Sequence, residues 1–441
     1  MSGPFGSTTW MSNPSTEFFG HEITNSCRFN DNDSAYLNIT PSSAGNVDTW
    51  TFSAWVKVGN TVNGPQGIFY ASTGIETNSN STVIYFNDGG ILKIRQVNSD
   101  SQTVSVASNA VFRDPSAWYH IVVACDTTQG TDTNRIKLYV NGVQITSLSS
   151  TTYPSQNADT FINSANIHVI GKYPASGNYY WDGYMAEVNL IDGLQLTPSS
   201  FGEFKNDIWI PKDTSGLTFG DEGFRLEFKQ SGVGTAGTST IGADTSGNTN
   251  HLTSSGLAVN DQVPDSPTNS FCTLNPIQIS ETGAPTFSEG NLKADIADNE
   301  EVWGNFGVSS GKWYFEMGYV SSASTNNKVA VGIGDADAPG NNEQANAGHQ
   351  ATTYAAGDII GIAVSVDDET ITFYKDNSAI ETDTDWSGKG WTTIKPIVTS
   401  SNSAGDEVVV LNFGHDSSFA GTETAQGNAD GNGYGDFYYA P

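Results

Sequence analysis

The chain has 441 residues, 37% of them hydrophobic, with 10 Trp, 17 Tyr and 22 Phe, so it can bury the cores of two or three domains. Against 18 Lys+Arg stand 48 Asp+Glu, a formal charge of -30 that repels phosphate backbones and argues against a nucleic-acid partner. No apolar run approaches bilayer-spanning length, and the first residues lack the basic and apolar regions of a signal peptide, so synthesis in a cytoplasm and no membrane insertion are expected.

Residues 1–20 are rich in Gly, Ser, Thr and Pro with isolated aromatics (Phe5, Trp10, Phe18, Phe19). Such a composition cannot bury a core alone and reads as an N-terminal docking arm. From Cys27 the pattern turns to short alternating strands. In Trp50-Thr51-Phe52-Ser53-Ala54-Trp55-Val56-Lys57-Val58 one face carries Trp50, Phe52, Ala54, Val56 and Val58, while Thr51, Ser53 and Lys57 oppose them, the pattern of a half-buried strand. Further strands are expected at 67–71, 82–86, 91–97, 103–107, 118–125, 136–140, 167–171 and 184–192. Asn141-Gly142 between two alternating runs marks a tight hairpin, because both turn positions need positive φ.

Beyond Phe204 the texture loosens, with a Gly/Ser/Thr-rich stretch at 231–249 and a Pro-containing turn cluster at 263–267. Within it Gly223-Phe224-Arg225-Leu226-Glu227-Phe228 alternates and is expected to add a strand to a sandwich, so 207–272 reads as a connector with some structure. A second strand-rich region follows, with strands at 312–320, 328–334, 359–366, 370–375 and 407–413 and a hairpin turn at Asp367-Asp368-Glu369. No segment keeps a helical period. The expected fold class is all-β, two jelly-roll sandwiches in tandem joined by a loop-rich connector, with segments 1–20, 21–206, 207–272 and 273–437. The chain stops just after the aromatic pair Tyr438-Tyr439, and a natural polypeptide continuing past Pro441 is compatible with that ending.

Thr51-Phe52-Ser53-Ala54-Trp55-Val56-Lys57, Trp118-Tyr119-His120-Ile121-Val122-Val123, Lys137-Leu138-Tyr139-Val140-Asn141-Gly142 and 180–188 together resemble the laminin-G/pentraxin-like sandwich of the concanavalin A-like group. Pentraxins often pair a Cys near Cys125 with one on the earlier strand, where this chain has Ala54, so the resemblance implies no disulfide. Gly311-Lys312-Trp313-Tyr314-Phe315-Glu316, Val331-Gly332-Ile333-Gly334-Asp335, Gly357-Asp358-Ile359-Ile360-Gly361 and Thr370-Ile371-Thr372-Phe373-Tyr374-Lys375-Asp376-Asn377 resemble a SPRY domain, ending with Leu411-Asn412-Phe413-Gly414. Residues 1–6, Arg28-Phe29-Asn30-Asp31 with Ala35-Tyr36-Leu37, and 265–271 resemble virion structural proteins of marine tailed bacteriophages. The resemblance implies a virion location, attachment to a host-surface glycan or protein, contacts with other virion proteins through the arm, and a homo-oligomer, trimeric as phage fibres commonly are. A purely architectural fibre subunit and a polysaccharide-degrading tail enzyme are the alternatives.

The concanavalin A-like group includes glucanases, whose retaining members set carboxylates on alternate positions of one strand. The nearest run here, Glu381-Thr382-Asp383-Thr384-Asp385, has Trp386 where a further Glu should follow, and reads as a solvated loop. Gly307-Val308-Ser309-Ser310-Gly311 matches a nucleophile elbow in letters but precedes a strand, where the elbow must follow one. No catalytic residue is expected, and the six histidines show no metal-ligand spacing. Cys27, Cys125 and Cys272 read as buried free thiols, and His120 as a packed strand residue. No cofactor is required, although Asp335-x-Asp337 and Asp430-x-Asn432-x-x-x-Asp436 are oxygen-rich and leave calcium open; turn formation is the simpler role. For ligand contact the loop carrying Tyr173, Asn178, Tyr179, Tyr180 and Trp181 is expected to offer aromatic faces for stacking on sugars, with Asn178 to bond hydroxyls.

Overall fold

The computed structural model describes residues 18–59, 64–177, 179–279, 285–298, 300–322, 329–337, 347–350, 354–383, 386–400 and 406–441. The described chain is all-β, and its only helices are four single 3-10 turns. It forms two compact units, one of residues 18–262 with Ser266–Thr268 and one of Val263–Asp265 with Asn269–Pro441.

The first unit is a sandwich of two antiparallel sheets. One runs in the order Val143–Gln144, Ile136–Val140, Trp118–Asp126, Thr49–Val58, Gly183–Asp192, Ser26–Phe29, and Phe224–Leu226 also pairs with Gly183–Asp192. The other has eight strands, Leu148–Thr152, Ser101–Val111, Ile91–Asn98, Ser81–Phe86, Gln66–Ser72, Ile167–Ile170, Tyr36–Ile39 and Thr253–Ser255. Consecutive strands pair from Val143–Gln144 back to Trp118–Asp126 and from Ser101–Val111 back to Gln66–Ser72, and crossovers join the others, as in a jelly roll. Segment 207–262 thus supplies a strand to each sheet and packs as part of this unit.

Strand Thr49–Val58 shows how the alternating pattern becomes a core. Trp50, Phe52, Ala54 and Val56 all point into the space between the sheets and are fully buried. The half-buried reading of this strand does not hold, because Thr51, Ser53, Trp55 and Lys57 are covered as well. A hairpin of Gly202–Lys205 and Ile208–Pro211 brings Trp209 to this outer side, where Trp209 and Ile23 join the Trp55 cluster. Beside it His120 accepts the indole N–H of Trp209 at 3.1 Å and meets Ser53 Oγ at 2.9 Å; burial pushes its pKa down to about 3, so the ring is neutral. Asn141 (φ 47°) and Gly142 (φ 80°) take the left-handed conformation expected of the hairpin turn.

Of the expected docking arm, residues 1–17 lie outside the described residues. Phe18 receives Lys205 Nζ on its carbonyl at 2.6 Å, so the chain is already seated on the first sandwich by that residue. The three cysteines are buried and free.

The second unit has a five-stranded sheet in the order Leu274–Ile279, Glu301–Gly304, Ile394–Ser400, Val329–Asp335, Ala347–Gln350. Facing it is a seven-stranded sheet, Thr286–Ser288, Lys293–Ile296, Glu407–Asn412, Lys312–Ser322, Ile359–Ser365, Thr370–Lys375, Ser378–Asp383. Period two sorts Lys312–Ser322 cleanly: Trp313, Phe315, Met317 and Tyr319 enter the core, and Tyr314 and Glu316 face the other way. Asp376 and Asn377, both at positive φ, make the turn into Ser378–Asp383. That last strand corrects the sequence reading of Glu381 and Asp383 as loop residues. They belong to the sheet edge, paired with Phe373 and Ile371, where Thr382 and Thr372 hydroxyls lie 3.2 Å apart.

Glu316 is fully buried and collects four donors: Tyr314 hydroxyl at 3.1 Å, Asn412 amide at 3.0 Å, and the backbone N–H groups of Tyr438 and Tyr439 at 2.9 and 2.8 Å. It therefore pins the C-terminal segment to the sheet. Burial outweighs these hydrogen bonds and raises the carboxyl to about 7 from an ordinary 4.5. An acid whose pKa rises on folding contributes stability that is complete below about 4.5 and lost as pH climbs through about 7. Calorimetry should accordingly show the second sandwich melting lower at pH 8 than at pH 5, with Glu316→Gln flattening that slope; an unchanged slope in the variant would contradict the assignment.

Candidate functional site

The outer face of the eight-stranded sheet carries the site. Strand Ile91–Asn98 alternates over its first six residues, burying Leu92 and Ile94 in the core and presenting Lys93 and Arg95 outward. The register places Val169, Tyr70, Val83 and Arg95 side by side on four neighbouring strands, and Tyr85 beside Lys93. Over this row folds the loop from Gly171 to Trp181, closed by Tyr173 N–H on Tyr179 O and Trp181 N–H on Gly171 O, both 2.8 Å. Gly67 makes the close approach feasible: a Cβ there would lie 1.9 Å from the Lys172 carbonyl oxygen.

The loop divides its aromatic residues between two jobs. Tyr173 turns down onto the sheet, T-shaped against Tyr85 at 5.0 Å, with its hydroxyl oxygen accepting Arg95 Nη1 at 2.7 Å. Tyr179 and Tyr180 stay half-exposed, Tyr179 edge-on to Tyr173 at 6.3 Å and Tyr180 stacked on half-exposed Tyr36 at 6.4 Å. Lys172 locks that stack. Its ammonium lies 4.6 Å from the Tyr180 ring centroid and 5.6 Å from that of Tyr36, and donates to Tyr180 Oη at 3.0 Å and Glu76 Oε1 at 3.2 Å. Burial disfavours its charge, but the bonds to Tyr180 and Glu76 prevail and hold its pKa above the ordinary lysine value. Burial likewise raises Tyr70 and Tyr85, so their hydroxyls remain protonated donors.

Among the expected contact residues, Tyr173, Tyr179 and Tyr180 come together here, and Asn178 lies outside the described residues. Trp181 must be withdrawn as a contact residue. It is 0% exposed and set in the core 5.8 Å from Phe86. Tyr36, Lys93, Arg95 and Lys172 are the additions. The Leu-Lys-Ile-Arg alternation at 92–95 is the sequence signal that could have placed two cations on one face, though not which loop that face meets.

The face offers hydrogen-bond donors and flat apolar surface. A glycosidase pair needs two carboxylates at a set distance, and Glu76 is already held by Lys172. The oxygen-rich motifs elsewhere act in turns. Asp335 Oδ1 accepts Asp337 N–H at 3.0 Å, and Asp430 Oδ1 accepts Asn432 and Tyr434 N–H at 2.8 and 3.0 Å. Among the described residues no three His, Cys, Asp or Glu side chains gather as a metal site.

The family model described as the concanavalin A-like lectin/glucanases superfamily, of laminin-G type, matches residues 30–199. The first sandwich therefore has a concanavalin A-like lectin fold. Solved structures similar to parts of the chain include a native heptameric SAP-like pentraxin from Limulus polyphemus, 19% identical over 40% of this chain and 80% of that one, TM-score 0.29. The SPRY domain of human HERC1 is 16% identical over 31% of this chain and 96% of its own, TM-score 0.24. A protein from Bacteroides ovatus described as carbohydrate-binding is 15% identical over 53% of this chain and 58% of that one, TM-score 0.35. No curated protein matches the chain.

Proposed function

We propose that the chain is a non-enzymatic recognition protein whose first sandwich binds a glycan on the face built around Tyr36 and Tyr180. The observation that carries this reading is the half-exposed Tyr36–Tyr180 stack, held ready by buried Lys172 on a lectin-type sandwich. Rings fixed before binding lose little entropy when a sugar stacks on them, which is what a shallow recognition site needs. Its setting, in this reading, is the outside of a tailed-phage particle, as a tail fibre, tail-associated or decoration protein that attaches to the host surface. The likeness of 28–37 and 265–271 to such virion proteins supports that setting, as it supports a trimeric homo-oligomer anchored to other virion proteins by its N-terminal arm.

Tyr180→Ala in the full chain should weaken glycan binding about tenfold or more, as removal of a central aromatic anchor does, measured by titration against glycans that the intact protein retains. Unchanged affinity would contradict the placement. Steady release of reducing ends by the purified protein would replace the reading with a hydrolase, and loss of particle assembly with normal host adsorption would replace it with an architectural subunit.

A further inference from the structure

Two cations on this face have no carboxylate partner among the described residues. Arg225, Arg28, Lys172, Lys229 and Lys375 each pair with a carboxylate, as expected where acidic residues outnumber basic ones so heavily. Lys93 and Arg95 have no such partner among the described residues. Arg95 is held instead by neutral oxygens. Nη1 donates to Tyr173 Oη at 2.7 Å and Asn78 Oδ1 at 2.9 Å, and Nε donates to Gln102 Oε1 at 3.2 Å. These bonds fix the guanidinium in place, leave its charge whole, and leave Nη2 without a protein partner among the described residues.

Lys93 stands two residues away on the same face, about 7 Å along the strand. Both side chains are half-buried, and burial and the Arg95 charge lower the Lys93 pKa. A pair of like charges kept together without a counter-ion is unfavourable unless something anionic comes to it. The pair is built into the same face as the loop: Arg95 bonds buried Tyr173, which meets half-exposed Tyr179 edge-on, and buried Tyr85 pairs with Lys93 across the strands.

We infer that the glycan recognised on this face is an acidic oligosaccharide, its carboxylate or sulfate bound between Arg95 Nη2 and Lys93 Nζ, while another of its sugars lies on the Tyr36–Tyr180 stack four strands away. This rests on the glycan-binding reading of the same face. It gives that reading a charge selectivity, because the rest of this strongly acidic surface repels anionic polymers at long range. At physiological ionic strength that repulsion is screened beyond about 8 Å, and the local cations decide.

The test is titration calorimetry of the full chain at physiological salt with three oligosaccharide sets: an oligouronate, a sulfated oligosaccharide, and the neutral parent. At least one acidic set should bind about tenfold or more tighter than the neutral one, the gain one charge-assisted hydrogen bond supplies. Which acidic set is preferred names the anion. Lys93→Gln should abolish most of that preference with no change in melting temperature, and Arg95→Lys should reduce it. Equal affinity for acidic and neutral sets, with Lys93→Gln silent, overturns the charge selectivity and leaves glycan binding standing. Binding to no glycan of any set overturns both.

Discussion

Replacing Arg225 by alanine is expected to destabilise the first sandwich by about 3–5 kcal/mol, the range for removing one partner of a buried ion pair. Arg225 is 4% exposed, and its guanidinium donates to Glu187 Oε1 at 2.8 Å and Oε2 at 3.3 Å and to Thr214 Oγ1 at 2.8 Å, with Glu227 3.1 Å away. Glu187 sits at a bulge in strand Gly183–Asp192, where the register to Thr49–Val58 shifts and its own φ is 44°. The bulge turns its carboxylate toward the partner that strand Phe224–Leu226 delivers. Alanine would leave that carboxylate buried beside His21 and Thr214 without its main counter-charge. Urea unfolding measures the loss, and a double-mutant cycle of Arg225→Met with Glu187→Gln should give a clearly non-additive coupling. A loss below about 1 kcal/mol would place the pair among weak surface contacts instead.

Trp181→Ala should be comparably severe, about 3–5 kcal/mol, because a fully buried indole leaves a cavity the sandwich cannot close. It should also abolish ligand binding, since Trp181 anchors the far end of the loop that carries Tyr179 and Tyr180. Trp181→Phe separates that indirect effect from direct contact. The indole N–H has no hydrogen-bond partner among the described residues, so phenylalanine gives up packing volume alone. Most of the stability and all of the glycan affinity should survive in it. A variant that melts normally but no longer binds would restore Trp181 to the contact surface.

Local order was legible in the sequence where it depends on neighbours along the chain. Period two located the strands at 91–98, 136–140 and 370–375 to within a residue or so, and Asn141-Gly142 gave its turn, because side-chain alternation and positive φ are encoded in adjacent residues. What failed depends on residues far apart. Thr51, Ser53 and Lys57 look like a solvated face, and segments distant in sequence cover that side of the strand: Ile23, the turn at Leu194–Leu196 and the hairpin carrying Trp209. Glu381 and Asp383 read as loop residues because strand pairing with 370–375, not composition, makes them an edge strand. The site was half visible for the same reason. A loop rich in tyrosines announces itself, but the stack of Tyr180 on Tyr36 and the clasp of Arg95 on Tyr173 span 144 and 78 positions and follow from the strand order and the way the loop folds over the sheet.

In the proposed function a glycan is recognised on the outer face of the sheet that carries Tyr36 and Arg95. The most direct test is a glycan-array screen of the full chain followed by a crystal structure with the best-retained sugar. A sugar ring is expected within about 4 Å of the Tyr36 and Tyr180 side chains. Density for the sugar on the second sandwich alone, or no retained glycan at all, would contradict it.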